Sequence, residues 1–199
     1  MLQLSSVCVY CGSHPGHRPE FREATEDLAR RLASEGIGIV YGGGNVGLMG
    51  ALADAALEAG GKVTGVIPES LIEREVAHRS LTELHVVSSM HRRKALMAEL
   101  SDAFVALPGG LGTLEEMVEM ATWGQLGFHR KPCALLDVCG YYGPLRELLQ
   151  RMVAEGFLEK RHRDLLVVEK DPAELLHRLG SYRHPPERRW PMGEPGEGP

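Results

Sequence analysis

The sequence predicts an α/β fold with a mostly parallel sheet flanked by helices. Two observations carry that reading. Short apolar runs alternate with stretches of helical periodicity along most of the chain, the pattern of a parallel sheet with crossover helices. Three of those runs are followed at once by glycine-rich turns: Cys11-Gly12-Ser13, Gly42-Gly43-Gly44 and Gly109-Gly110-Leu111-Gly112. In an open parallel sheet such turns share the carboxyl rim of the strands, where ligands bind near the reversal of strand order. One glycine turn says little. Three on one rim predict a nucleotide-sized, phosphate-friendly pocket.

The elements follow in order. Residues 7–10 are short and apolar and predict a first strand, turned by Cys11-Gly12-Ser13. Residues 20–34 are helical: Phe21, Ala24, Leu28 and Leu32 share a face, and Gly36 stops the helix. Residues 37–41 make a second strand. A small-residue helix over 49–59 ends at Gly60-Gly61. Residues 63–67 make a third strand, cut by Pro68. Residues 69–80 read as a short helix or loop carrying Glu75 and His78. Residues 84–87 predict a fourth strand, 90–100 a helix and 103–107 a fifth strand. Leu114, Met117, Val118 and Ala121 then recur at helical spacing. Residues 133–137 predict a sixth strand, and 142–155 a helix ended by Gly156. Residues 165–168 and 172–179 predict a last strand and helix. There is no internal repeat. Residues 1–182 thus read as one domain. Residues 183–199 turn to Pro, Gly, Glu and Arg and read as a flexible tail.

Of 199 residues 43% are hydrophobic, enough for one domain with a full core. The net charge of -5, with both signs mixed, points away from nucleic acid as a partner. No apolar run approaches a membrane span, and the start lacks a signal-peptide pattern. Cys8-x-x-Cys11 invites a redox or zinc reading. Cys8, however, lies within an apolar strand, and no His or Cys follows at ligand spacing, so structural thiols are expected. A cytoplasmic location is the resulting expectation. The Gly-x-Gly-x-x-Gly fingerprint is missing after the first strand, and no Walker lysine follows a glycine run. A dinucleotide cofactor is therefore not expected.

The stretch Pro108-Gly109-Gly110-Leu111-Gly112-Thr113-Leu114-Glu115-Glu116 lies where the fifth strand becomes a helix. The first N–H groups of a helix lack internal partners and carry the positive end of its dipole. Glycines there let an anion approach closely. Thr113 and Glu116 stand at capping-box spacing, so Thr113 is expected to cap the helix or hold the anion. A tight turn with a capping box and no ligand explains the same residues. Met90-His91-Arg92-Arg93-Lys94 puts several cations at a helix start, against the dipole. That arrangement points to an anionic partner; the alternative is a solvated basic face capped by Ser88 or Ser89.

Residues 108–116 and 90–94 resemble the two signature motifs of the LONELY GUY family. Its members are cytokinin riboside 5'-monophosphate phosphoribohydrolases, formerly labelled possible lysine decarboxylases. Residues 41–50, 65–68, 122–127 and 140–142 also fit, and the resemblance runs from about Val7 to Leu176. It implies a Rossmann-like three-layer fold and hydrolysis of the bond between adenine and ribose 5-phosphate. The substrate would be a nucleoside 5'-monophosphate, either adenosine monophosphate or its cytokinin derivatives. By position, Arg93 and Glu116 are the implied catalytic pair. Glu75, Arg93, Lys94, Gly110, Leu111, Gly112, Thr113, Leu114, Glu115, Glu116 and Thr122 are implied substrate contacts. Met90, Gly109, and Ser13, Gly43 and Gly44 from the other glycine turns join them as candidates. No lysine sits in a recognisable pyridoxal-phosphate site, and no cofactor or metal is implied.

The chemistry fits those residues. Breaking an N-glycosidic bond develops an oxocarbenium-like ribosyl cation. An ionised carboxylate beside it stabilises the charge and orients or deprotonates water. Arg93 either keeps Glu116 ionised or holds phosphate or ribose hydroxyls. A homodimer, or a larger even-numbered assembly, is expected from the apolar Met117, Met120, Trp123 and Leu126 together with the family's habit of pairing. The competing readings are a non-catalytic nucleotide or molybdenum-cofactor carrier, and a nucleotide sensor acting through a partner.

Overall fold

A computed structural model describes residues 3–72 and 76–185. Among the described residues seven strands form one sheet: β1 (Ser6–Tyr10), β2 (Gly38–Tyr41), β3 (Val63–Pro68), β4 (Glu83–Val87), β5 (Ala103–Ala106), β6 (Cys133–Leu136) and β7 (Leu166–Glu169). Their spatial order is β4-β3-β2-β1-β5-β6-β7, and every pairing is parallel. The helices are α1 (Pro19–Ser34), α2 (Gly47–Glu58), α3 (Met90–Glu99), α4 (Leu111–Gln125), α5 (Gly143–Ala154), the single turn α6 (Lys160–Arg163) and α7 (Pro172–Gly180).

The three layers follow from the two-residue period of strands. Val7 and Val9 of β1 face a core shared with Leu28 and Leu32 of α1, Leu52 of α2 and Leu175 and Leu179 of α7. Cys8 and Tyr10 face the opposite core, with Met97 of α3 and Met117 and Met120 of α4. The strands of the sheet centre are covered on both faces, which is why they read as unbroken apolar runs. Cys8 and Cys11 are buried in opposite cores, so they share no site.

Pro68 ends β3 as expected, being itself its last residue, paired with Val87. Proline is tolerated there because a strand end asks less of its missing N–H. The turn α6 carries four consecutive basic residues, Lys160, Arg161, His162 and Arg163, and no apolar periodicity to announce it. Residues 186–199 of the expected tail lie outside the described residues.

The strand order has one switch point. From β1 the chain builds outward through β2, β3 and β4, then returns to lay β5 on the other side of β1. The turns after β1 and β5 therefore leave in different directions and open a crevice between them.

Candidate active site

The crevice is stitched at its base by backbone bonds. Leu107 N–H donates to the Tyr10 carbonyl at 2.9 Å, Gly12 N–H to the Pro108 carbonyl at 3.1 Å, and Leu48 N–H to the Gly12 carbonyl at 3.0 Å. The β1 turn, the β5 turn and the start of α2 thus form one rigid unit. Gly109 has no room for a side chain: a Cβ would lie 2.1 Å from Thr113 Oγ1 and 2.9 Å from Gly12 N.

The helix α4 begins earlier than the sequence pattern indicates. Its N-cap is Gly110, without a capping side chain, and Leu114 N–H donates to the Gly110 carbonyl at 3.2 Å. Thr113 is therefore the third helical residue and is buried, while Glu116 lies in the second turn. The expected capping box is not formed, because the helix starts upstream of Thr113 and so places Thr113 inside its first turn, not at the cap. The N–H groups of Leu111, Gly112 and Thr113 precede the first intrahelical bond and face outward at the helix start. With no side chain capping them, these N–H groups and the positive end of the helix dipole are available to an anion.

The basic cluster of α3 divides by burial. Ser89 is the N-cap and accepts the Arg92 N–H at 3.2 Å. His91 and Arg92 are exposed, whereas Arg93 and Lys94 are buried. Arg93 donates from Nε to the Val66 carbonyl at 3.0 Å and from Nη2 to the Gly42 carbonyl at 2.8 Å. Both acceptors lie at the carboxyl ends of β2 and β3, so the guanidinium is fixed on the rim. Lys94 pairs with Glu115 and, at 3.0 Å, with Glu119. Burial opposes the ammonium charge, but these two carboxylates outweigh it and hold the Lys94 pKa above the ordinary lysine value.

Arg93 and Glu116 line the same cavity, of about 290 Å³. Gly110, Leu111, Gly112 and Thr113 form one side of it, with Ser13 across the crevice. Met49, Leu71 and Met90 give it an apolar flank. Cys11 also reaches the wall; burial, then the charge of Glu116, pushes its thiol pKa well up, so the thiol stays neutral. A second cavity of similar size lies beyond Ser13 and Gly110, between Phe21, Leu48 and Tyr141.

The structure brings together Ser13, Met90, Arg93, Gly110, Leu111, Gly112, Thr113, Glu115 and Glu116. Gly109 borders the second cavity instead. Leu114 packs against the core, and Lys94 stands behind Glu115 rather than on the wall. Gly43 and Gly44 serve the backbone: the Gly43 carbonyl accepts the His78 N–H at 2.9 Å, and Tyr41 donates its hydroxyl to the Gly44 carbonyl at 3.1 Å. Thr122 is exposed further down α4, its hydroxyl donating to the Val118 carbonyl at 2.7 Å. Glu75 lies outside the described residues. Sequence reasoning missed Cys11, Met49 and Leu71 on the wall and Gly42 beneath Arg93. The adjacency of Cys11 to Gly12 and of Gly42 to Gly43 was the available signal.

Comparison with known proteins adds to this geometry. A family model described as possible lysine decarboxylase matches residues 49–179. The cytokinin riboside 5'-monophosphate phosphoribohydrolase of Rhodococcoides fascians is 52% identical over 167 residues, covering 83% of this chain and 84% of that protein. The cytokinin riboside 5'-monophosphate phosphoribohydrolase LOG of Oryza sativa subsp. japonica is 46% identical over 176 residues, 88% of this chain and 73% of that protein. Among solved structures, the molybdenum cofactor carrier protein of Chlamydomonas reinhardtii aligns with a TM-score of 0.66 at 21% identity, covering 90% of this chain and 100% of that one. That last likeness is one of fold. With the two motifs converging on one cavity, the chain belongs to the family described as possible lysine decarboxylases, in which these cytokinin riboside 5'-monophosphate phosphoribohydrolases are its relatives.

Proposed function

We propose that this protein hydrolyses the N-glycosidic bond of nucleoside 5'-monophosphates, releasing the free base and ribose 5-phosphate. The observation that carries this reading is the placement of Arg93 and Glu116 in one cavity with the open start of α4. The names of the relatives support the same activity.

In this reading the 5'-phosphate sits on the N–H groups of Leu111, Gly112 and Thr113. The ribose then lies along the first turns of α4, beside Glu116. The Glu116 carboxylate stabilises the ribosyl cation as the base departs and orients the attacking water. Arg93, held by two carbonyls, keeps a fixed positive charge in the cavity and meets the phosphate or ribose hydroxyls. The base goes to the apolar flank of Met49, Leu71 and Met90, which accepts adenine and tolerates an N6-prenyl group. Plain adenosine monophosphate and cytokinin nucleotides are both within this substrate class.

The chain works as a homodimer or a larger even-numbered assembly, in the cytoplasm. No helix among the described residues is long and apolar enough to cross a membrane. The test is product analysis after incubation with adenosine monophosphate, isopentenyladenosine monophosphate and the matching nucleosides. Free base from the monophosphates, with little from the nucleosides, supports the reading. Binding without release of base would leave a carrier, and equal cleavage of nucleosides would remove the phosphate site from the mechanism.

A further inference from the structure

Tyr141 donates its hydroxyl to the Gly109 carbonyl at 2.5 Å, and Tyr142 donates to the Leu107 carbonyl at 2.6 Å. The two bonds bracket Pro108, just ahead of α4. We infer that Tyr141 is a positioning residue: by pinning the Gly109 carbonyl it aims the Gly110 N–H at the phosphate of the substrate. The identity of that ligand rests on the phosphoribohydrolase reading above.

A planar trans peptide points its C=O and its N–H to opposite sides. Among the described residues no peptide bond is cis. With its carbonyl turned to Tyr141, the Gly109–Gly110 peptide turns its N–H away from Tyr141. Gly110 borders both cavities, whereas Tyr141 borders only the outer one. That orientation leaves the Gly110 N–H on the side away from Tyr141, where Gly110 also borders the cavity of Arg93 and Glu116. Two successive glycines have little preference of their own between the two orientations of the peptide that joins them. A hydrogen bond from another loop decides it.

The hydroxyl is itself held in place. The Tyr141 ring meets Phe21 edge-on, centroids 5.8 Å apart, and meets Tyr142 edge-on at 5.2 Å. Upstream, Cys139 at φ +55° and Gly140 at φ +72° swing the chain through the left-handed region. That conformation is costly for a residue with a Cβ. It presents both tyrosines to the β5 turn, and the buried Asp137 secures it by accepting the Tyr142 N–H at 2.7 Å.

Tyr141→Phe removes the hydroxyl and keeps both ring contacts, so a role limited to packing predicts no change. The inference predicts a dissociation constant for ribose 5-phosphate, by calorimetry, that rises roughly three- to tenfold, the loss of one hydrogen bond. The KM for adenosine monophosphate should rise with it, while cleavage of adenosine and the melting temperature stay as in wild type. In the ligand-free protein the Gly110 amide signal in a ¹⁵N spectrum should shift or broaden. Unchanged affinity for ribose 5-phosphate together with an unchanged Gly110 signal overturns the role of Tyr141. If the wild type binds neither ribose 5-phosphate nor adenosine monophosphate, the proposed activity falls separately. The Gly110 signal then still decides: shifted in the variant, it upholds the pinning of the peptide; unshifted, it refutes it.

Discussion

The Arg93 guanidinium occupies the space that a side chain on residue 42 would need. A Cβ on Gly42 would lie 2.1 Å from Arg93 Nη2, the nitrogen that donates to the Gly42 carbonyl at 2.8 Å. The first glycine after β2 is thus the seat of the arginine. Gly42→Ala should displace the guanidinium without unfolding the sheet. A misplacement of this size costs turnover about a hundredfold. Base release and a melting curve on the same sample check it; full turnover from a folded Gly42→Ala protein would show that the seat does not matter.

Glu116 lies in the second turn of α4, away from its Gly110 cap, so its exchange should leave the helix start intact. Glu116→Gln should melt like the wild type and bind ribose 5-phosphate. Its turnover should drop about a hundredfold to a thousandfold, as when other enzymes lose one electrostatic contact to the transition state. Arg93→Ala added to it should slow the reaction little further if the two residues act as a unit. Near-normal base release by Glu116→Gln would move the catalytic charge to another group.

The assembly prediction rests on surface. Met117 and Met120 belong to the core, but Leu111, Val118, Leu126 and Phe128 are exposed along α4 and its exit. Thr122 lies between Val118 and Leu126 at helical spacing, on the same stripe. Light scattering at micromolar concentration should give a dimer or a larger even assembly, and Leu126→Glu should break it down. A wild-type monomer would refute pairing and leave Thr122 without a route to any nucleotide.

His129 gives the stability a dependence on acid. Its Nδ1 accepts the Lys131 N–H at 3.2 Å, so Nε2 carries the proton and donates to the Met120 carbonyl at 2.9 Å. Burial, only partly countered by that carbonyl, lowers its pKa below the ordinary histidine value. The unfolded chain then takes up the proton first as the pH falls. The contribution of His129 is full above about pH 6.5, where the unfolded imidazole is neutral, and is lost as the pH drops toward the folded pKa. Urea unfolding at neutral and mildly acidic pH should show a decline that is smaller in His129→Gln. Equal declines in the two proteins would assign the acid sensitivity elsewhere.

The strands were legible because a parallel sheet buried on both faces leaves uninterrupted apolar runs such as Val7-Cys8-Val9-Tyr10. The start of α4 was misleading because Thr113 and Glu116 satisfy the capping-box spacing, whereas the true cap, Gly110, carries no side-chain signal. Charge pattern identifies the cations at the start of α3. It does not reveal that Arg93 and Lys94 turn inward, since their partners come from Gly42, Val66, Glu115 and Glu119 on other elements. Tyr141 was visible only as part of a motif; its bond to Gly109 joins the loops of two different strands and exists only once β5 and β6 are side by side.

The central position of β1 also has a consequence for biosynthesis. Cys8 pairs with Val40 on one side but with Phe104 on the other. A ribosome adding about 5–20 residues per second leaves that second edge open for roughly 5–20 s. During this interval the nascent chain carries an apolar strand with unpaired amides, the kind of edge that recruits another strand. Most of the crevice does not yet exist either, since the turn after β5 that forms one of its walls has not emerged. Newly made chains must therefore be kept apart until β5 arrives, and closing the edge of β1 and completing the crevice become a single event.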